Sequence, residues 1–114
     1  MPDHYFHYTS RQAAQSVGSM GKIETGASGG IYLSLDVYSE GTRATDALVI
    51  EGKAVEVVAL IPGSLLTPRP TVGVVLPLYD PVSGALRRHG GGSQAVIPGP
   101  LTASDVRWLA LAPP

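Results

Sequence analysis

The chain contains no cysteine. That absence removes a disulfide framework, a thiolate nucleophile, a zinc ribbon and an iron–sulfur site, and leaves the domain indifferent to its redox compartment. Charge is also scarce: Asp, Glu, Lys and Arg make up 15% of the 114 residues, and eight basic against nine acidic side chains leave a net charge of −1. The near-balance argues against a broad electrostatic footprint for nucleic acid, although a strip of Arg43, Arg69, Arg87 and Arg88 would supply a local one. No apolar run reaches the length that spans a bilayer, so no membrane role is expected. Met1-Pro2-Asp3-His4 does not read as a secretory signal; an export address is expected elsewhere, in a larger parent chain. Several motifs are missing as well. There is no Gly-x-Ser-x-Gly elbow, no Walker loop and no His-Glu-x-x-His. His4, His7 and His89 lack metal-ligand spacing, and His4 and His7 fall on opposite faces of one strand, so no metal is expected.

What is present suits a folded domain. Hydrophobic residues make up 44% of the chain, which excludes the disordered class, and the length fits a single domain over 1–114. Fourteen glycines and ten prolines fall in clusters: Gly26 to Gly30, Pro62-Gly63, Pro68 to Pro70, Gly90 to Gly92 and Pro98-Gly99-Pro100. Short β-rich runs lie between them, so the clusters punctuate strands.

Residues 4–9 read as a first strand, with Tyr5, His7 and Thr9 on one face and His4, Phe6 and Tyr8 on the other. Thr9 with Gln12 forms a candidate capping box for a helix over 10–20, whose apolar stripe is Ala13, Ala14, Val17 and Met20. Gly18 and Gly21 mark its end. Strands are expected over 31–35, 54–61, 71–76, 93–97 and 106–111. Val58 and Leu60 interrupt the alternation in the third of these six strands, which implies burial on both sides. A short helix capped by Ser39 is expected through Leu48, with Ala44, Ala47 and Leu48 inward. Helices early and strands later give an α+β class with largely antiparallel sheets, rather than a doubly wound parallel fold, and one or two helices in the N-terminal half.

The residues that carry chemistry form an ordered set. Phe6-His7-Tyr8-Thr9-Ser10-Arg11 opens a helix; Gly29-Gly30-Ile31-Tyr32-Leu33-Ser34-Leu35-Asp36 follows; Gly90-Gly91-Gly92-Ser93-Gln94 comes late. Taken together they resemble the small ADP-ribosyltransferase-like toxin domains of bacterial polymorphic secretion systems, the group with a His-Tyr-Asp signature. The resemblance runs from about His7 to the C-terminus. It implies a compact split barrel that binds NAD in a cleft between two small sheets.

On that resemblance His7 bonds the ribose beside adenine, with Tyr8 and Thr9 next to it in the cleft. Tyr32 stacks on nicotinamide with Ser34 supporting it, Tyr38 is a second stacking candidate, and Asp36 matches the signature aspartate. Arg11, at the helix start, is placed to reach a pyrophosphate oxygen. Gln94 stands where relatives often carry glutamate, which accepts a hydrogen bond from the nicotinamide ribose and stabilises an oxocarbenium-like charge. A glutamine amide accepts the same bond without the charge. The implied activity is mono-ADP-ribosyl transfer to a macromolecule, protein rather than nucleic acid. NAD glycohydrolysis is the alternative that Gln94 favours, and a non-catalytic nucleotide- or partner-binding module is the third reading. The resemblance further implies delivery into a target cell as the tip of a longer effector, action in the cytoplasm, and a cognate immunity protein. The glycines before Ile31 and Ser93 are expected to let backbone approach a ligand closely.

Overall fold

The computed structural model describes residues 3–23, 30–102 and 106–112. The first strand, β1 (His4–Thr9), leads into helix α1 (Arg11–Met20). The cap between them is Ser10, not Thr9: Ser10 Oγ accepts from Ala13 N at 3.2 Å. Thr9 is still paired in the sheet, opposite Val57, so Ser10 is the first residue free to cap. Gly21, at φ +74°, closes α1 by donating its N–H to the Val17 carbonyl, while Gly18 stays within the helix. No residue of α1 is fully buried. Of the expected stripe, only Val17 packs on the core.

Next come β2 (Lys22–Ile23), β3 (Gly30–Leu33) and helix α2 (Gly41–Ala47). The first residue flanking α2 is Glu40, and no side chain caps it, so Ser39 does not have the expected role. Gly41 passes so close to the Val55 carbonyl that a Cβ there would overlap it. Ala44 is completely buried. The remaining elements are β4 (Val57–Pro62), a 3-10 turn over Gly63–Leu65, β5 (Gly73–Val74), β6 (Leu78–Tyr79), β7 (Leu86–Arg88), β8 (Ser93–Pro98), β9 (Leu101–Thr102) and β10 (Arg107–Ala110). The strand expected over 54–61 thus begins later, at Val57, and that over 71–76 shrinks to two residues.

Two three-stranded antiparallel sheets organise the molecule, in the orders β1-β4-β10 and β3-β8-β5. Two-stranded pairs β2-β9 and β6-β7 flank them. β4 is central in its sheet and separates two apolar clusters. Ala59 and Ile61 pack with Tyr5, Ile31, Leu33 and Ile97; Val58 packs with Tyr8, Ala44 and Val55. That position explains the unbroken apolar run, since both faces are covered. The fold is α+β with two helices and several small antiparallel sheets. Among the described residues the sheets do not close into a barrel, and no helix is long and apolar enough to cross a membrane.

An isolated backbone bridge links the large sheets. Phe6 and Ser34 exchange both backbone hydrogen bonds at 2.8 Å, joining the middle of β1 to the residue after β3. A cleft lies alongside this junction.

Candidate functional site

The cleft has a volume of about 640 Å³ and is lined from several separate stretches of chain. β1 contributes Phe6, His7 and Tyr8; β3 and its end contribute Tyr32, Leu33 and Ser34; β8 contributes Gln94. The segment after α2 forms another wall with Leu48, Val49, Ile50, Glu51 and Lys53, and Val75 and Leu76 complete it. Five of the residues singled out from sequence, His7, Tyr8, Tyr32, Ser34 and Gln94, therefore share one cavity. They come together because the Phe6–Ser34 bridge sets β1 beside β3, and the β3–β8 pairing of Leu33 with Ala95 brings Gln94 to the same end.

His7 Nδ1 lies 2.9 Å from the Tyr32 carbonyl. A carbonyl only accepts, so Nδ1 carries the hydrogen and donates. Loss of hydration on burial is the main influence on the ring and holds its pKa below 6.5; the Tyr32 bond opposes this, and the nearby Lys53 adds to it. The imidazole is therefore neutral near pH 7, and its Nε2 is an acceptor. Tyr32 is exposed between buried Ile31 and Leu33, which presents it at the cleft wall.

Tyr8 contributes its ring to the cleft but uses its hydroxyl internally. The O–H donates to the Asp36 carbonyl at 2.7 Å and accepts from Tyr38 N at 2.9 Å. Burial raises its pKa to about 12, so it stays protonated. Ser34 is buried, and its Oγ accepts from Asp36 N at 3.0 Å and shares a hydrogen with Ser93 Oγ at 3.3 Å.

The structure places four other sequence candidates differently. Asp36 lines neither the cleft nor its neighbour: its Oδ2 accepts from Ser93 N at 2.6 Å and Ser93 Oγ at 2.9 Å. It fastens the end of β3 to the start of β8. Tyr38 also lies off the cleft, its ring 5.7 Å from that of Tyr8 and its hydroxyl donating to Asp36 Oδ2 at 3.4 Å. Its pKa is raised by burial first and by Asp36 second. Arg11 is exposed, and it is its backbone N–H that bonds Glu56 Oε1, at 3.0 Å. Thr9 borders an adjoining cavity of about 310 Å³, where its Oγ1 accepts from Lys53 Nζ at 3.0 Å.

Two of the glycines before Ser93, Gly90 and Gly92, approach the chain itself, and Gly91 meets nothing within 4 Å. A Cβ on Gly90, at φ +67°, would meet Leu76 backbone atoms at 2.8 Å, and one on Gly92 would meet Leu48 and Tyr38 at 2.8 Å. Gly29 lies outside the described residues.

Sequence reasoning missed the segment over 48–53. Val49 has φ +52°, a left-handed conformation that costs a β-branched residue roughly 1–2 kcal/mol. Glu51 is gripped by Arg87 at 2.7 Å and Arg88 at 3.1 Å, and His89 Nδ1 meets Asp46 Oδ2 at 2.7 Å. Bonds from the His89 backbone N–H, and then from its ring, hold the Asp46 carboxyl below its usual value. Arg87 and Arg88, in β7, and His89 just after it are thus each committed to a carboxylate. Arg43 lies against Glu40 at 3.8 Å, so Arg43, Arg87 and Arg88 of the expected basic strip all face carboxylates. The Glu51 and Asp46 pairings carried no motif, because the partners are 35–45 residues apart. Among the described residues no group of His, Asp and Glu is arranged to hold a metal.

The arrangement offers an exposed aromatic face, a neutral imidazole acceptor, an amide and one ammonium around a largely apolar cavity. That is equipment for binding and orienting a planar, polar ligand. No protein-family model, no curated protein and no solved structure matches the chain.

Proposed function

We propose that the chain is a NAD-consuming domain that cleaves the nicotinamide–ribose bond. The observation that carries the reading is the meeting of His7, Tyr32 and Gln94, from three separate sequence segments, around one cleft beside the junction of two small sheets. The finer description of the fold as an ADP-ribosyltransferase-like split barrel belongs to the same proposal. Its support is the pair of three-stranded sheets that touch at Phe6 and Ser34.

Nicotinamide is a good leaving group, so the carbon–nitrogen bond breaks with both electrons going to the departing ring and positive charge growing on the ribose. The demand on the protein is positioning rather than nucleophilic attack. The Tyr32 ring stacks on nicotinamide, worth about 1 kcal/mol beyond area burial. His7 Nε2 accepts from a ribose hydroxyl, and the Gln94 amide oxygen accepts from the ribose next to the breaking bond. Water or a macromolecular nucleophile then adds to the ribose carbon and releases its proton to solvent.

Transfer to a macromolecule, by preference a protein, is the primary reading. Hydrolysis to free ADP-ribose is favoured by one observation, that the side chain from β8 in the cleft is the uncharged Gln94. Delivery as part of a larger effector and an inhibitory partner remain parts of the transferase proposal.

The test is nicotinamide release from NAD by the purified protein. Release is expected, with loss of about tenfold or more in His7→Ala and Tyr32→Ala. No release, or release untouched by both substitutions, rejects the enzyme and favours a binding module. Labelled NAD in a cell lysate then separates the two reactions: label retained on a macromolecule means transfer, and free ADP-ribose alone means hydrolysis. Gln94→Glu is expected to retain or raise transfer; complete loss would show that the amide itself is required.

A further inference from the structure

We propose that Lys53 is the anion anchor of this site and binds the diphosphate of a dinucleotide where two cavities meet. The proposal rests on the NAD reading and names the residue that reads the charged middle of the substrate. The adjoining cavity shares three residues with the main cleft: His7, Tyr32 and Lys53. A dinucleotide is two nucleosides joined through two phosphates, so its charge lies midway along its length. Volumes of about 640 and 310 Å³ accept the two ends, and the shared wall is where the phosphates pass.

Lys53 is the cation at that wall. Its Nζ donates to Thr9 Oγ1 at 3.0 Å, a neutral acceptor. Among the described residues no carboxylate is paired with it. Glu51, the nearest acid in sequence, is already held by Arg87 and Arg88. His7, facing it from β1, is neutral near pH 7 and contributes no charge. Among the described residues, the smaller cavity is lined by Lys22 and Lys53 and by no aspartate or glutamate. Lys53 is exposed as a residue, though some loss of hydration lowers its pKa. An ammonium without an anionic partner favours an anion beside it, because charge-assisted bonds to phosphate oxygen are the strong ones. Arg11, the cation that sequence spacing suggested for the pyrophosphate, lines neither cavity.

Calorimetric titration of the whole chain with ADP, adenosine and NAD tests the assignment, using wild type, Lys53→Met and Lys53→Arg. Wild type is expected to bind ADP about tenfold or more tightly than adenosine. Lys53→Met should lose most of that margin and Lys53→Arg keep most of it, with thermal melts confirming that all three fold. With NAD, Lys53→Met should raise KM about tenfold and leave kcat within roughly threefold, the pattern of lost ground-state binding. The proposal is overturned if Lys53→Met binds ADP as wild type does, or if adenosine binds wild type as tightly as ADP. The NAD reading fails separately. Wild type that binds ADP through Lys53 yet releases no nicotinamide rejects that chemistry and leaves the anchor standing.

Discussion

His7 shows how one side chain serves the fold and the site at once. Its Nδ1–H holds the Tyr32 carbonyl at 2.9 Å, bracing β1 against β3 one residue along from the Phe6–Ser34 bridge. Its Nε2 is left as an acceptor. That division of labour fails when the ring is protonated, and burial makes protonation costly. The consequence for stability has a definite sign. Above pH 6.5 the ring is neutral in both folded and unfolded chains, and this histidine makes stability independent of pH. As pH falls below 6.5 the unfolded chain takes up a proton that the folded chain accepts only at its lower pKa, so stability declines through that window. Denaturant unfolding of wild type and His7→Gln between about pH 5 and 7 measures this. The advantage of wild type over the variant is expected to shrink toward pH 5; a difference that stays constant would mean that burial does not depress the His7 pKa.

At the level of elements, two glycines in the two helices behave oppositely under the same substitution. Gly18 lies in the exposed interior of α1, and a Cβ added there would have no other atom within 4 Å. Gly18→Ala is therefore expected to stabilise by about 0.5–1 kcal/mol, the helix preference of alanine over glycine. Gly41 begins α2 against the Val55 carbonyl, where a methyl group has no room. Gly41→Ala is expected to cost at least about 1–3 kcal/mol. Shifts of the guanidinium midpoint in opposite directions check both; the same direction for both would mean that α2 yields where the packing says it does not. The contrast also marks where reading from sequence succeeds. β1, β3, β4 and β8 were legible because their apolar residues are buried on one face or two, whereas β10 was legible from its apolar composition alone, its side chains being mostly exposed. The pairs β2-β9 and β6-β7 were not, because strands of two or three residues with mostly exposed side chains leave no periodic trace. His7, Tyr32 and Gln94 were legible as candidates through the order of their segments, with glycines before the strands that carry Tyr32 and Gln94. Asp36 was not, since a carboxylate spent on Ser93 looks in sequence like one offered to a ligand. Lys53 had no motif, and only the return of the chain after α2 brings it to Thr9.

For the whole molecule, the decisive feature is that the cleft takes its walls from both large sheets, which also share an apolar core through Tyr5, Ala59 and Ile61 on one and Ile31, Leu33 and Ile97 on the other. Beside the cleft the two sheets are joined by the two Phe6–Ser34 backbone bonds and by His7 reaching Tyr32, while Asp36 with Ser93 ties β3 to β8 within one sheet. A ligand in the cleft touches His7 on one sheet and Tyr32 and Gln94 on the other, together with Lys53 beyond α2. It therefore bridges elements of both sheets, and its binding energy appears as resistance to unfolding. At one hundred times its dissociation constant, a ligand specific for the folded state adds about 2.7 kcal/mol. In a domain of this size that is a rise in Tm of roughly 10 °C. ADP-ribose is the suitable probe, because it contains both riboses and the diphosphate and is not consumed. Differential scanning calorimetry is expected to show that rise in wild type, and a much smaller one in His7→Ala and Lys53→Met at the same concentration. An unchanged Tm at millimolar ADP-ribose would mean that the cleft does not accept this class of ligand, since a site joining both sheets has no means of binding without stabilising them.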